Sequence, residues 1–107
     1  MAIVKTRAEA LGIQLHVFDG SRDVFQGIQR LEDIYDLSKC CGVLVHYPDT
    51  NGNVDDLSAI VEQSRKHETI VIAATDLLAL TMVKAPGEYG PGCDIAIGTA
   101  QRFGMQL

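Results

Sequence analysis

The segment GTAQRFG, Gly98–Gly104, follows an apolar run, Ile95-Ala96-Ile97, that reads as a buried strand. The end of such a strand is where an α/β protein presents reactive side chains, and here it presents Gln101 and Arg102. Arginine stays protonated in proteins, so Arg102 cannot act as an amine nucleophile or form a Schiff base. It can clamp a carboxylate or phosphate through two parallel N–H donors, or sit in a structural ion pair with an acidic neighbour. The residues leave both open. Two other apolar runs also end in polar residues, Tyr47-Pro48-Asp49-Thr50 and Ala74-Thr75-Asp76. For Asp49 and Thr50, capping of the loop into the next helix is the leading reading over a ligand role. For Thr75 and Asp76, a helix cap and a ligand role stand level. Lys84 is the one lysine in an apolar setting, and a desolvated lysine can be a nucleophile. Its place just before Ala85-Pro86-Gly87 favours a simpler role, a cation complementing a helix C-terminus. The glycines of PGEYGPG match neither GxGxxG nor GxxxxGKS, so no phosphate-binding loop is read there.

The elements that must position these residues alternate along the chain. Residues 4–11 read as the tail of a helix stopped by Gly12. Ile13, Leu15 and Val17 alternate with Gln14 and His16, which predicts a strand with His16 on its polar face. Val24, Ile28, Leu31 and Ile34 recur at helical spacing, which predicts one helix with Gly27 inside it. Cys41–Tyr47 is a short apolar run ended by Pro48 and reads as a buried strand. The turn-rich loop PDTNGN leads into an amphipathic helix. Val54, Leu57, Ile60, Val61 and Ser64 share its inner face, Asp55, Asp56, Glu62 and Lys66 face water, and the two aspartates lie near its start. Thr69–Ala74 reads as a second buried strand, TDLLALTMVK as a buried helical turn or two closed by Pro86-Gly87, and Cys93–Ile97 as a third buried strand. Strands alternating with helices imply right-handed crossovers and a mostly parallel sheet, which takes its ligands at the carboxyl ends of the strands.

With 107 residues, 47% of them hydrophobic, the chain has the length and composition of one small α/β domain. A formal net charge of -5 gives no attraction to a phosphate backbone, so nucleic acid is not an expected partner. The apolar runs are too short and interrupted to cross a bilayer. Cys40, Cys41 and Cys93 do not make a disulfide framework, which points to a reducing compartment and to small, partly buried apolar roles. His16, His46 and His67 supply no zinc-finger spacing, so no metal site is expected. The N-terminus shows neither a signal core nor a transit-peptide composition. Neither end reads as a domain boundary.

Five segments in order, VKTRAEALGI, GVLVHYPDTNGNVDDL, ATDLLALT, APGEYG and CDIAIGTAQRFG, resemble the glycine cleavage system P-protein family over nearly the whole chain. The resemblance is weakest over residues 20–38 and most specific at DLLAL, PGE and AQRFG. Family members are several times longer, so the resemblance implies that residues 1–107 are an incomplete piece of one α/β domain. That domain is the large domain of a fold-type-I pyridoxal-phosphate (PLP) transferase. The family is the PLP-dependent glycine dehydrogenases (decarboxylating), which are oxidoreductases. They decarboxylate glycine and pass the aminomethyl group to the lipoyl arm of H-protein.

Such proteins have two homologous halves, and AQRFG belongs to the earlier one, which lacks the PLP lysine. On the shared Pro86-Gly87-Glu88 turn, the His-Lys pair of the catalytic half falls on Gln101-Arg102 and the pyridinium aspartate near Ala73. A short insertion at Pro91-Gly92-Cys93 lies between them. The resemblance therefore implies no covalent PLP and no catalytic residue in this chain. Thr75, Asp76, Gln101 and Arg102 are candidates for lining the cleft. Expected partners are the catalytic half, lipoylated H-protein and a second copy in a dimer, with no nucleic acid or membrane. The expected compartment is the mitochondrial matrix in a eukaryote and the cytoplasm otherwise. The rival reading is a stand-alone α/β module that grips an acidic ligand with Arg102.

Overall fold

β-Branched and apolar runs become three strands: β1 (Gly42–Tyr47), β2 (Ile70–Asp76) and β3 (Ile95–Thr99). The computed structural model describes residues 2–18 and 22–105. The strands form one parallel sheet in the order β1-β2-β3. The register runs from Gly42↔Ile70 to Tyr47↔Thr75 and from Ile72↔Ile95 to Asp76↔Thr99. This is an α/β architecture with flanking helices, consistent with part of a PLP-dependent transferase domain. α1 is Ala2–Ala10, followed by a turn in which Gly12 takes φ +68. α2 is Arg22–Phe25, α3 is Leu31–Ile34 and α4 is Ser58–Lys66.

α4 links β1 to β2, and its stripe makes the core. Leu57, Ile60, Val61 and Ser64 lie at i, i+3, i+4 and i+7, and all are buried against Val45, Tyr47, Val71 and Ala73. Burying each of the three large aliphatic side chains contributes about 1.5–3 kcal/mol. The Asp56 carboxylate accepts the Ser58 N–H at 2.7 Å and starts the helix. That contact with Ser58 holds the Asp56 carboxyl below its ordinary value. At the other end Glu68 takes a left-handed φ of 56, and the Thr69 N–H returns to the Ser64 carbonyl at 2.9 Å. α2 and α3 pack on α4, and Leu31 N–H donates to Gln63 Oε1 at 2.6 Å.

Five expectations need correction. Ile13–Val17 is not a strand: it pairs with none of the three strands, and Ile13 and Val17 stay exposed. Alternation fixes which side chains share a face, but a strand also needs an edge to pair with. The segment is anchored instead by His16 and Phe18, whose rings lie 5.4 and 6.5 Å from that of Tyr35. The helix expected over Val24–Ile34 is two short helices. Gly27 breaks it with φ +72, and Ile28 is exposed. The amphipathic helix begins at Ser58, leaving Val54 outside it and exposed.

TDLLALTMVK forms no buried helix. Residues Ala79–Thr81 make one 3₁₀ turn, Leu77 is exposed, and Met82 is 91% exposed. Lys84 therefore ends no α-helix. The third strand starts at Ile95 rather than Cys93, and its five residues are exposed rather than buried. The apolar run there folds as a strand, but among the described residues nothing lies over it.

Candidate functional site

Parallel pairing carries the ends of β1, β2 and β3 to one edge of the sheet, and the polar residues named from the sequence meet there. At β1, Asp49 turns inward. Its Oδ1 accepts the N–H of Asn51 at 2.8 Å and of Asn53 at 2.7 Å, and its Oδ2 accepts Asn53 Nδ2 at 2.8 Å. These contacts, led by Asn53, hold the Asp49 carboxyl below its ordinary value. Asp49 thus ties its own loop rather than capping α4, which Asp56 starts, and Thr50 lies exposed in that turn.

At β2, Thr75 Oγ1 donates to the Ile97 carbonyl at 3.3 Å, and Asp76 Oδ1 accepts the Leu78 N–H at 3.1 Å. At β3, Thr99 Oγ1 accepts the Gln101 N–H at 3.1 Å, and Gln101 itself is exposed. The Arg102 guanidinium pairs with the remaining oxygen of Asp76, Oδ2. Register explains the meeting: Asp76 pairs with Thr99, three residues before Arg102. Of the two roles open for Arg102, the structural ion pair is the one the fold forms. Asp76 serves the backbone and Arg102 together.

A second cluster was not legible in the sequence. Tyr47, 1% exposed at the end of β1 before a cis Tyr47–Pro48 bond, donates its hydroxyl to the Lys84 carbonyl at 3.0 Å. A hydroxyl has one proton, so at the 2.8 Å contact between Tyr47 and Tyr89 hydroxyls Tyr89 is the donor. Their rings meet edge to face at 5.7 Å. Burial, reinforced by Tyr89, pushes the Tyr47 hydroxyl well above the ordinary tyrosine value, so it stays protonated. Lys84 Nζ lies 4.5 Å over the Tyr89 ring, so its charge is used on an aromatic face. The only sequence signals were a tyrosine ahead of a proline at a strand end and a second one in PGEYG.

The Pro91-Gly92-Cys93 segment, where the resemblance implies an insertion, folds back on the Pro86–Glu88 turn. Gly92 takes φ +87, a Cβ there would lie 2.7 Å from the Gly87 carbonyl oxygen, and Cys93 N–H donates to the Pro86 carbonyl at 3.1 Å. The base of β3 is tied down next to it. Asp94 meets Arg65 at 3.2 Å and accepts the Val71 N–H at 2.8 Å. Cys40, Cys41 and Cys93 are free thiols, and burial raises the Cys93 thiol above its ordinary value. Among the described residues no group of His, Cys, Asp and Glu could hold a metal ion, and no helix is long and apolar enough to cross a membrane.

Covalent PLP requires a lysine amine for the imine and a partner for the ring nitrogen. At the positions the resemblance assigns, Arg102 carries no nucleophilic amine and is paired with Asp76. Ala73 is fully buried in mid-sheet between Val45 and Ala96 and carries only a methyl group. These residues do not fit the cofactor.

The parallel sheet, its helix cover and its polar carboxyl edge are consistent with part of an α/β domain of the PLP-dependent transferase class. The family model for the glycine cleavage system P-protein matches residues 1–107, and the chain belongs to that family. It is 45% identical over 105 residues to a glycine dehydrogenase (decarboxylating) of Psychromonas ingrahamii, covering 98% of this chain and 9% of that protein. It is 39% identical over 104 residues to a mitochondrial glycine dehydrogenase (decarboxylating) of Dictyostelium discoideum, covering 97% of this chain and 9% of that protein. The mitochondrial protein of that name from Solanum tuberosum is 41% identical over 106 residues, again 9% of its length. The chain thus spans about a tenth of the curated relatives it matches. No solved structure matches it.

Proposed function

We propose that this chain works as a segment of a glycine dehydrogenase (decarboxylating), the oxidoreductase of glycine cleavage, and that it comes from the half without cofactor. In that reading residues 1–107 are an incomplete piece of one α/β domain. The whole enzyme uses PLP to remove CO2 from glycine and hands the aminomethyl group to the lipoyl arm of H-protein. The observation that carries the reading is the family match across the whole chain. PLP belongs to residues outside this segment, because Ala73 and Arg102 cannot hold it.

The part played by this chain's own residues is mechanical. The Asp76–Arg102 pair ties the end of β2 to the turn after β3, and Tyr47, Tyr89 and Lys84 tie the end of β1 to the β2–β3 crossover. A firm edge of this kind suits packing against the catalytic half of a dimeric enzyme, with Thr75, Asp76, Gln101 and Arg102 facing the shared cleft. The compartment is the mitochondrial matrix in a eukaryote and the cytoplasm in a bacterium. A self-standing anion-binding module would keep Arg102 for its ligand, and the pairing with Asp76 speaks against it.

The test uses the full-length protein carrying this segment. With lipoylated H-protein it should release CO2 from glycine, and borohydride reduction should attach PLP to a peptide outside residues 1–107. PLP fixed within this segment, or a full-length protein inert toward glycine, refutes the reading.

A further inference from the structure

The loop after β1, residues 49–53, holds the pair Asn51-Gly52. A backbone nitrogen can attack the side-chain amide of the residue before it where nothing crowds the approach, and glycine has no side chain to do so. Gly52 is exposed, takes φ +81, and has no atom within 4 Å of a built Cβ. Asn51 is exposed as well, and among the described residues only its backbone N–H is hydrogen-bonded, so its side-chain amide is free to turn toward Gly52. Asn53, the other asparagine of the chain, differs on both counts. The branched Val54 follows it, and its Nδ2 is held by Asp49 Oδ2 at 2.8 Å.

One residue keeps the reactive pair apart. The Gly52 N–H, whose nitrogen would attack, donates to the Asp49 carbonyl at 3.0 Å. Asp49 Oδ1 holds the N–H groups of Asn51 and Asn53, and the Asp49 N–H donates to the Asn53 carbonyl at 3.0 Å. The turn therefore closes on Asp49 from both sides, and while it is closed the Gly52 proton stays in its hydrogen bond.

We propose that Asn51 is a site of spontaneous deamidation and that Asp49 is its latch. The Gly52 nitrogen gives its proton to hydroxide and bonds to Asn51 Cγ. The Cγ–Nδ2 bond breaks, and Nδ2 takes a proton from water and leaves as ammonia. Water then opens the five-membered imide at either carbonyl, leaving aspartate or isoaspartate. No atom is oxidised or reduced, and water is the only co-reactant. Isoaspartate lengthens the backbone by one atom between residues 49 and 53, so the contacts that close the turn no longer span it. Either product also sets a second negative charge beside Asp49. Conversion thus frees the loop at the carboxyl end of β1. The inference stands apart from the activity of the whole enzyme.

The full-length protein is incubated at neutral pH, folded and in urea, and then digested. Mass spectrometry reads acid in place of amide, and chromatography separates the isoaspartyl peptide. The folded parent should convert Asn51 but not Asn53, at least about tenfold more slowly than the unfolded chain, the factor that one hydrogen bond to a charged acceptor contributes. Asp49→Ala, shown to be folded by circular dichroism, should recover roughly that factor. Gly52→Ala should slow conversion in urea. Equal rates in the folded and unfolded parent overturn the latch, whether or not Asp49→Ala folds. A folded Asp49→Ala as slow as the parent also overturns it. Asn51 left intact in the folded parent long after the unfolded chain has converted overturns the site. The purified isoaspartyl form should exchange its loop amides faster than the parent, and unchanged exchange overturns the release.

Discussion

Gly98 is the position where one methyl group should loosen the candidate site. It sits in β3 opposite Thr75, and a Cβ built there lies 2.6 Å from the Thr75 carbonyl oxygen and 3.0 Å from Thr75 Oγ1. The nearer atom is backbone, so no rotamer change relieves the contact, and β3 must move away from β2. Overpacking of this kind costs about 1–3 kcal/mol, while any Gly→Ala change returns about 0.4–1 kcal/mol by narrowing the unfolded ensemble. The net expectation for Gly98→Ala is a local loss of about 1–2 kcal/mol, or roughly 5–30-fold more opening. Gly87 is the control, because nothing lies within 4 Å of its built Cβ and its φ is not left-handed. Amide hydrogen exchange of the folded protein reads the effect in the peptide covering Ile95–Thr99. Gly98→Ala should exchange faster there by that factor, and Gly87→Ala should match the parent. Equal protection in Gly98→Ala and the parent would refute the claim that the β2–β3 contact at Thr75 has no room for a side chain.

Tyr47→Phe removes the partner of the part-buried Lys84 carbonyl and strands the buried Tyr89 hydroxyl, and a loss of about 1–3 kcal/mol should appear in urea unfolding followed by circular dichroism. Ser64→Ala should be neutral or stabilising by up to about 1 kcal/mol in the same assay, because Ser64 Oγ is buried with no hydrogen-bond partner and alanine is the better helix former. The Asp49 carboxyl is depressed, so its contribution to stability is full above the ordinary aspartate value of 3.8 and fades as pH falls through and below it. Asp49→Asn should therefore flatten the acid limb of a pH titration of stability, and an unchanged limb would count against the loop's dependence on that carboxylate.

The strands β1 and β2 were legible because GVLVHY and TIVIAA combine β-branched residues with flanking turn formers, and α4 because its stripe repeats at 3.6. Ile13–Val17 shows the limit of pattern: alternation describes a side-chain face and says nothing of a pairing edge. Gly27 inside the Val24–Ile34 pattern was visible, but only its left-handed φ turns it from a weak point into a break. β3 was read as buried from its composition, and that composition matches a layer the described residues do not supply. The Asp76–Arg102 meeting was half legible, since both residues follow neighbouring strands. The tyrosine pair was not, because 42 residues separate its members and no local signal joins them.

What the carboxyl edge does with its polar groups bears on the role of the whole chain. Here Asp49 accepts from three donors in its own loop, Asp76 serves the Leu78 amide and Arg102, and Thr75 and Thr99 close onto neighbouring backbone. Lys84 lies on the Tyr89 ring. Each of these contacts shortens a loop or joins two strand ends, and together they hold the edge of the sheet in one shape. An edge held in one shape suits the proposed role of this chain, a surface packed against the rest of the enzyme.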